Sequence, residues 1–160
     1  MINLVIWNEF LHEKENDQVK SIYPKGIHEC IKEFLSKDKE LNISTATLEE
    51  KDHGLSEDLL EKTDVLIWWG HKAHKLVEDK IVDRIQQRVL EGMGLLVLHS
   101  GHHSKIFKRM MGTTANLRWA ERGEKERIWV CNPGHPIADG LDEYFEIEMT
   151  EMYGLSLIHI

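Results

Sequence analysis

Short apolar runs alternate with polar stretches along this chain, and they predict buried strands joined by amphipathic helices. Residues 2–7 form an apolar run of the kind found in a strand buried on both faces. The stretch 8–18 carries Glu9, His12, Glu13 and Glu15 and reads as a loop. Pro24 is expected to open a helix, with Ile27, Cys30, Ile31, Phe34 and Leu35 recurring on one face. Residues 42–48, rich in β-branched side chains, read as a second strand. Ser56 is expected to cap a short helix whose first turn holds Glu57 and Asp58. Residues 65–69 make a third buried strand. Val77, Ile81, Ile85 and Val89 then step by four along a helix that Gly92 ends. Residues 95–98 form a fourth strand, Ser100 and Gly101 a sharp turn, and Ile106, Phe107, Met110 and Met111 another helix. A fifth strand is expected at 127–131, after an exposed hairpin or loop at 118–125, and a weaker sixth at 145–149. This alternation predicts an open, doubly wound α/β sheet, mostly parallel, with helices on both faces.

In such sheets ligands bind beyond the carboxyl ends of the strands. Asn8, Glu9, Phe10 and His12 follow the first predicted strand, and Gly70, His71 and His74 the third. His99, Ser100, His102 and His103 follow the fourth, and Glu151 and Tyr153 the sixth. Six of the ten histidines thus fall at one edge, with Glu9 among them. Val97 to Gly101 reads as a strand, a tight turn and a helix start, the geometry of a nucleophile elbow. His99 occupies its tip, where a thiol or hydroxyl nucleophile would stand, and neither Cys30 nor Cys131 is near in sequence. His99 is therefore the expected general acid, base or ligand, with Ser100 a weaker nucleophile. His71 and His74 form an H-x-x-H, which with His99 or His103 and Glu9 would make N and O ligands for a divalent metal such as zinc. Trp7 could stack on a sugar face, and Trp68 and Trp69 point to opposite sides of their strand, one inward and one toward the rim. His135, within a Pro-Gly turn, reads as structural.

Composition narrows the classes. The chain has 160 residues, one domain's worth, with 20 basic and 28 acidic side chains and a net charge of -8. An acidic surface repels phosphate backbones, which disfavours nucleic acid and basic attachment to membranes. No signal peptide or spanning segment is seen, and two cysteines make no disulfide framework, so a cytoplasmic location is expected.

Residues 6–10, 68–74, 98–102, 117–129, 135–137 and 151–154, in that order, together resemble the ThuA family of trehalose-utilisation proteins. The resemblance implies a flavodoxin-like sheet similar to that of class I glutamine amidotransferases. The elbow cysteine of those enzymes is replaced here by His99, so glutaminase activity is not carried over. It further implies a role in using trehalose or related disaccharides, acting on the sugar or its keto derivative. On that reading His99, Glu9 and His71 are catalytic, and Trp7, Asn8, Ser100, His103, Glu151 and Tyr153 bind substrate. His71, His74 and His103 are the metal candidates. The expected partner is a small-molecule sugar, with a homo-oligomer left open. A metal-dependent hydrolase using the same histidines, and a sugar-binding or regulatory protein without turnover, are the alternatives. The family continues after Gly154 with a Glu-Pro-Phe segment, whereas this chain reads Leu155 to Ile160. The expectation is one ThuA-like domain over 1–154, truncated, with a non-native tail at 155–160 in which His159 carries no role.

Overall fold

The computed structural model describes residues 1–154, so the expectation about the tail at 155–160 lies outside the described residues. Contacts cluster in two compact units, Met1–Ala115 and the residues from Asn116 onward.

The first unit is built on four parallel strands in the order β2-β1-β3-β4: β1 (Ile2–Asn8), β2 (Leu41–Thr47), β3 (Val65–Trp69) and β4 (Gly94–Leu98). Every residue of β1 from Leu4 to Asn8 is buried, as a central strand covered on both faces requires. Strand parity sorts the side chains. Leu4, Ile6 and Ile67 face one side and pack on Ile31 and Leu35 of the helix α3 (Ile27–Leu35). Val5, Trp7, Leu66 and Trp68 face the other. There they meet Leu60 of α4 (Glu57–Glu61), Ile81, Val82 and Ile85 of α5 (Asp79–Leu90), and Ile106 of α6 (Lys105–Met111). Trp7 and Trp68, cross-strand neighbours, stack at 3.7 Å between ring centroids, and both are almost fully buried. This is an α/β sheet with helices on both faces.

The helix ends follow local chemistry. Ser56 caps α4 by accepting from the Leu59 N–H. After α5, Gly92 adopts φ 114°, with Gly92 N–H donating to Val89 O and Met93 N–H to Arg88 O. Pro24 does not open α3. Gly26 at φ 89° separates them, and a Cβ there would sit 2.4 Å from the His28 ring, so the helix starts only at Ile27. The expected loop at 8–18 contains α1 (His12–Glu15) and the start of α2 (Asp17–Ile22). Asn16 caps α2 through Gln18 N–H and Val19 N–H, a signal of the usual kind that the charged composition hides.

The second unit corrects the reading of the last two strands. β5 (Arg118–Trp129) is one long strand rather than a loop followed by a strand, and it pairs antiparallel with β6 (Tyr144–Gly154). They form their own two-stranded sheet. Its cross-strand ties include polar ones, with Arg127 donating to Glu146 at 2.6 Å and Lys125 at 3.1 Å, and the Trp129–Tyr144 ring pair at 5.0 Å. Among the described residues no helix is long and apolar enough to cross a membrane.

Candidate functional site

The parallel register places Asn8 beside Trp69 and Trp69 beside Leu98, so the segments leaving β1, β3 and β4 emerge side by side. The Glu9 N–H donates to Trp69 O at 3.2 Å, continuing the pairing one residue past β1. Glu9 is 1% exposed, and its carboxylate accepts from Lys72 N–H at 2.7 Å and Ala73 N–H at 2.9 Å. A buried carboxylate needs such donors, and here they are the peptides of the turn that carries His71 and His74. Glu9 therefore anchors that turn while placing a negative charge next to both rings.

His71 is exposed, stacked on His12 at 4.6 Å and set edge-on to Trp69 at 5.7 Å. Partial burial lowers its pKa below the ordinary imidazole value; the positive charges of His12 and His99 act in the same direction and Glu9 opposes them. Rings from two other chain segments and the Glu9 carboxylate thus all act on His71. His74 is lowered by burial first, with Glu9 again opposing and His103 adding to the shift.

His99 begins a 3-10 turn, His99–His103, directly after β4, and it is exposed. Its φ is 42°, a left-handed conformation that costs a non-glycine residue about 1–3 kcal/mol. The turn is held from beneath. The Ser100 hydroxyl donates to Gly70 O at 3.0 Å, linking the ends of β3 and β4. Gly101 is buried so close to β3 and β4 that a Cβ would lie 2.8 Å from Val97 Cγ1 and 3.3 Å from Trp68 O. His102 Nδ1 donates to Ala115 O at 3.0 Å, and its ring lies 3.9 Å from that of His103. Burial lowers both of these imidazoles.

Several expected residues lie elsewhere. Trp7 is 1% exposed and its indole N–H donates to His53 O, so it belongs to the core and offers no stacking face. Trp69, partly exposed against His71, is the tryptophan at the rim. Asn8 is equally buried. Its amide donates to Glu13 Oε1 at 2.7 Å and contacts His28 Nδ1 at 2.8 Å, while its oxygen accepts from Phe10 N–H. With Asn8 donating, the His28 proton sits on Nε2. Both side chains, expected at the substrate, are instead placed inside the fold with internal hydrogen-bond partners. Ser100 has its hydroxyl proton engaged with Gly70, which makes it a brace for the elbow. The metal set does not assemble either. His71 stacks on His12, His74 lies 6.1 Å from His103 between centroids, and among the described residues no three His, Cys, Asp or Glu are placed to hold an ion. Glu151 and Tyr153 lie within β6, in the second unit, rather than beyond a parallel strand. They contact each other, and burial with the Glu151 contact pushes the Tyr153 phenol up to about 12. His135 accepts from Ile137 N–H at 3.1 Å, as a turn residue should.

The buried Glu13, His28 and His53 were not anticipated. His28 lies on the helical stripe of Ile31 and Leu35, a signal that periodicity contains. Glu13 sits in a charged stretch where nothing in the residue order marks one carboxylate as buried.

Comparison with known proteins agrees with this architecture. No curated protein matches the chain. A solved structure, a putative ThuA-like protein from Bacteroides uniformis, shares the fold with a TM-score of 0.66 at 15% identity. The match covers 95% of this chain and 60% of that one, so the chain spans about three fifths of its neighbour's length. The family model for trehalose utilisation, ThuA, matches residues 3–159, and the chain belongs to that family.

Proposed function

We propose that the chain acts on a disaccharide of the trehalose kind, or on its keto derivative, at the histidines beyond β1, β3 and β4. His99 transfers a proton to or from the sugar. His71, kept neutral at physiological pH by its surroundings, hydrogen-bonds the reacting oxygen. Glu9 holds the His71 turn in place and counters the accumulated positive charge. The observation that carries the reading is the exposed His99 residue held at a positive φ at the elbow, within electrostatic reach of His71, on which the Glu9 charge also acts. Backbone strain of this kind persists where the surrounding structure enforces it, which is common at reacting centres.

A second reading, sugar binding without turnover, draws support from Glu9, whose oxygens are both engaged with peptide N–H groups. One experiment separates the two. Trehalose and its keto derivative are incubated with the wild type and with His99→Gln, and products are followed by NMR. The expected result is turnover that falls about 100-fold or more in the variant, with an unchanged circular dichroism spectrum. Undiminished turnover in His99→Gln removes His99 from the mechanism. Saturable sugar binding with no product from the wild type selects the second reading.

A further inference from the structure

Beside the elbow, within the first unit, lies a cavity of about 630 Å³ between the turn after β3 and the first turns of α6. Its charged wall is lopsided. Lys72 is paired with Glu15 across the mouth, but Lys75 and Lys108 have no carboxylate partner among the described residues. For Lys108 the contrast with its neighbours is direct, since on the same helix Lys105 pairs with Asp79 and Arg109 with Asp83. In a chain with a net charge of -8, two unpaired lysines facing one cavity are a local reversal of sign. His74 and His103 line the same wall, and the buried His74 Nε2 has no hydrogen-bond partner among the described residues. Leu76 adds an apolar side, suited to the C–H face of a sugar ring.

We infer that this cavity is an oxyanion subsite, in which Lys75, Lys108 and the His74–His103 wall hold a phosphate or carboxylate group carried by the sugar. The anion part stands on the cavity alone; the sugar part rests on the function proposed above. Two ammonium groups supply long-range attraction, and ring N–H groups supply direction, the usual division of labour in oxyanion recognition. Burial first, and the Lys108 charge with it, disfavours the protonated form of both histidines, so the rings serve as hydrogen-bonding groups and the charge an arriving anion meets is that of the lysines.

The test uses the full chain and calorimetric titration at constant ionic strength. Inorganic phosphate is titrated first, into the wild type, Lys75→Ala/Lys108→Ala and Lys25→Ala, a surface control away from the cavity. Saturable binding that weakens about tenfold or more in the double variant and is unchanged in Lys25→Ala supports the subsite. Unsaturable binding, or equal loss in both variants, overturns it in favour of diffuse attraction. Glucose 6-phosphate, gluconate and glucose are then compared. Glucose 6-phosphate tighter than both phosphate and glucose assigns the group to a phosphorylated sugar, and gluconate in that position assigns it to a sugar acid. If neither anionic sugar binds better than phosphate, the sugar part fails while the anion site stands. Because no turnover is read, failure here is distinct from failure of His99.

Discussion

Two sets of histidines occupy the first unit, and they are built in opposite ways. His28 and His53 are buried and locked by specific partners. His53 Nδ1 donates to Leu48 O at 2.6 Å, its Nε2 accepts from Glu78 N–H at 3.1 Å, and its carbonyl takes the Trp7 indole proton. One residue thereby joins the end of β2, the lead into α5 and the central tryptophan stack. His71, His99, His102 and His103 instead gather beyond the strand ends, against one another and partly open to solvent. Imidazoles placed side by side repel when charged, so such a cluster gives the fold little. The lesson is that histidines of one unit can form two populations: His53 spends both ring nitrogens and His28 its Nδ1 on architecture, while the partly exposed cluster keeps ring nitrogens at the surface.

Substitutions can break this contrast. The largest effect is expected in turnover, for His99→Gln as described above, with little change in melting temperature. Next is His53→Ala, which strands the Leu48 carbonyl and the Glu78 N–H. It should cost about 2–4 kcal/mol in urea denaturation while leaving activity per folded molecule intact. A loss of activity without a loss of stability would place His53 in the other population. Glu9→Gln lies between the two sets. Its amide nitrogen would face a peptide N–H, so about 1–3 kcal/mol of stability should be lost, and the His71 pKa measured by NMR should fall further. An unchanged His71 titration would show that the carboxylate charge is not felt there.

The acid side sharpens the comparison. Burial holds the His28 pKa below its ordinary 6.5, and the fold uses its neutral form as an acceptor for Asn8. The unfolded chain then binds more protons than the native one below about pH 6.5. The contribution of His28 is complete above that value and is lost as the pH falls toward the lowered native pKa. The difference between urea midpoints at pH 7.5 and 5.5 should shrink in His28→Gln. An identical difference would mean that His28 titrates as it does in the unfolded chain. The smallest expected effect is that of His135→Ala, which removes only an acceptor for one exposed N–H and should cost less than about 1 kcal/mol.

What the residue order revealed depends on how far each signal is local. The third strand was readable to the residue because five apolar side chains in a row, closed by Gly70, have few alternatives. The elbow was readable because Gly101 marks a close backbone approach. The orientation of Trp7 was not readable, because the residue order does not say which face of β1 is covered: Trp7 stacks on Trp68 in the core under α5, and β1 runs on to Asn8. The length of β5 escaped because residues 121–127 are nearly all charged and carry no apolar alternation; its pairing with β6 there draws on cross-strand ions and backbone, with the Trp129–Tyr144 ring pair at one end. The division of the chain's contacts at Ala115 has no linker composition to announce it. Of the site, the gathering of rings at one sheet edge was legible. The anchoring duty of Glu9 was not, because it depends on peptides sixty-three and sixty-four positions away in the chain.

The contact at Gly101 has a consequence for anyone who would remodel this protein. With no side chain between the turn and the sheet, the turn that carries His99 rests on the same residues, Val97 and Trp68, that pack the interior. There is no cushion to absorb a mismatch. A methyl group added beneath, or a ring trimmed within, should register in the pitch of His99 before it registers anywhere else.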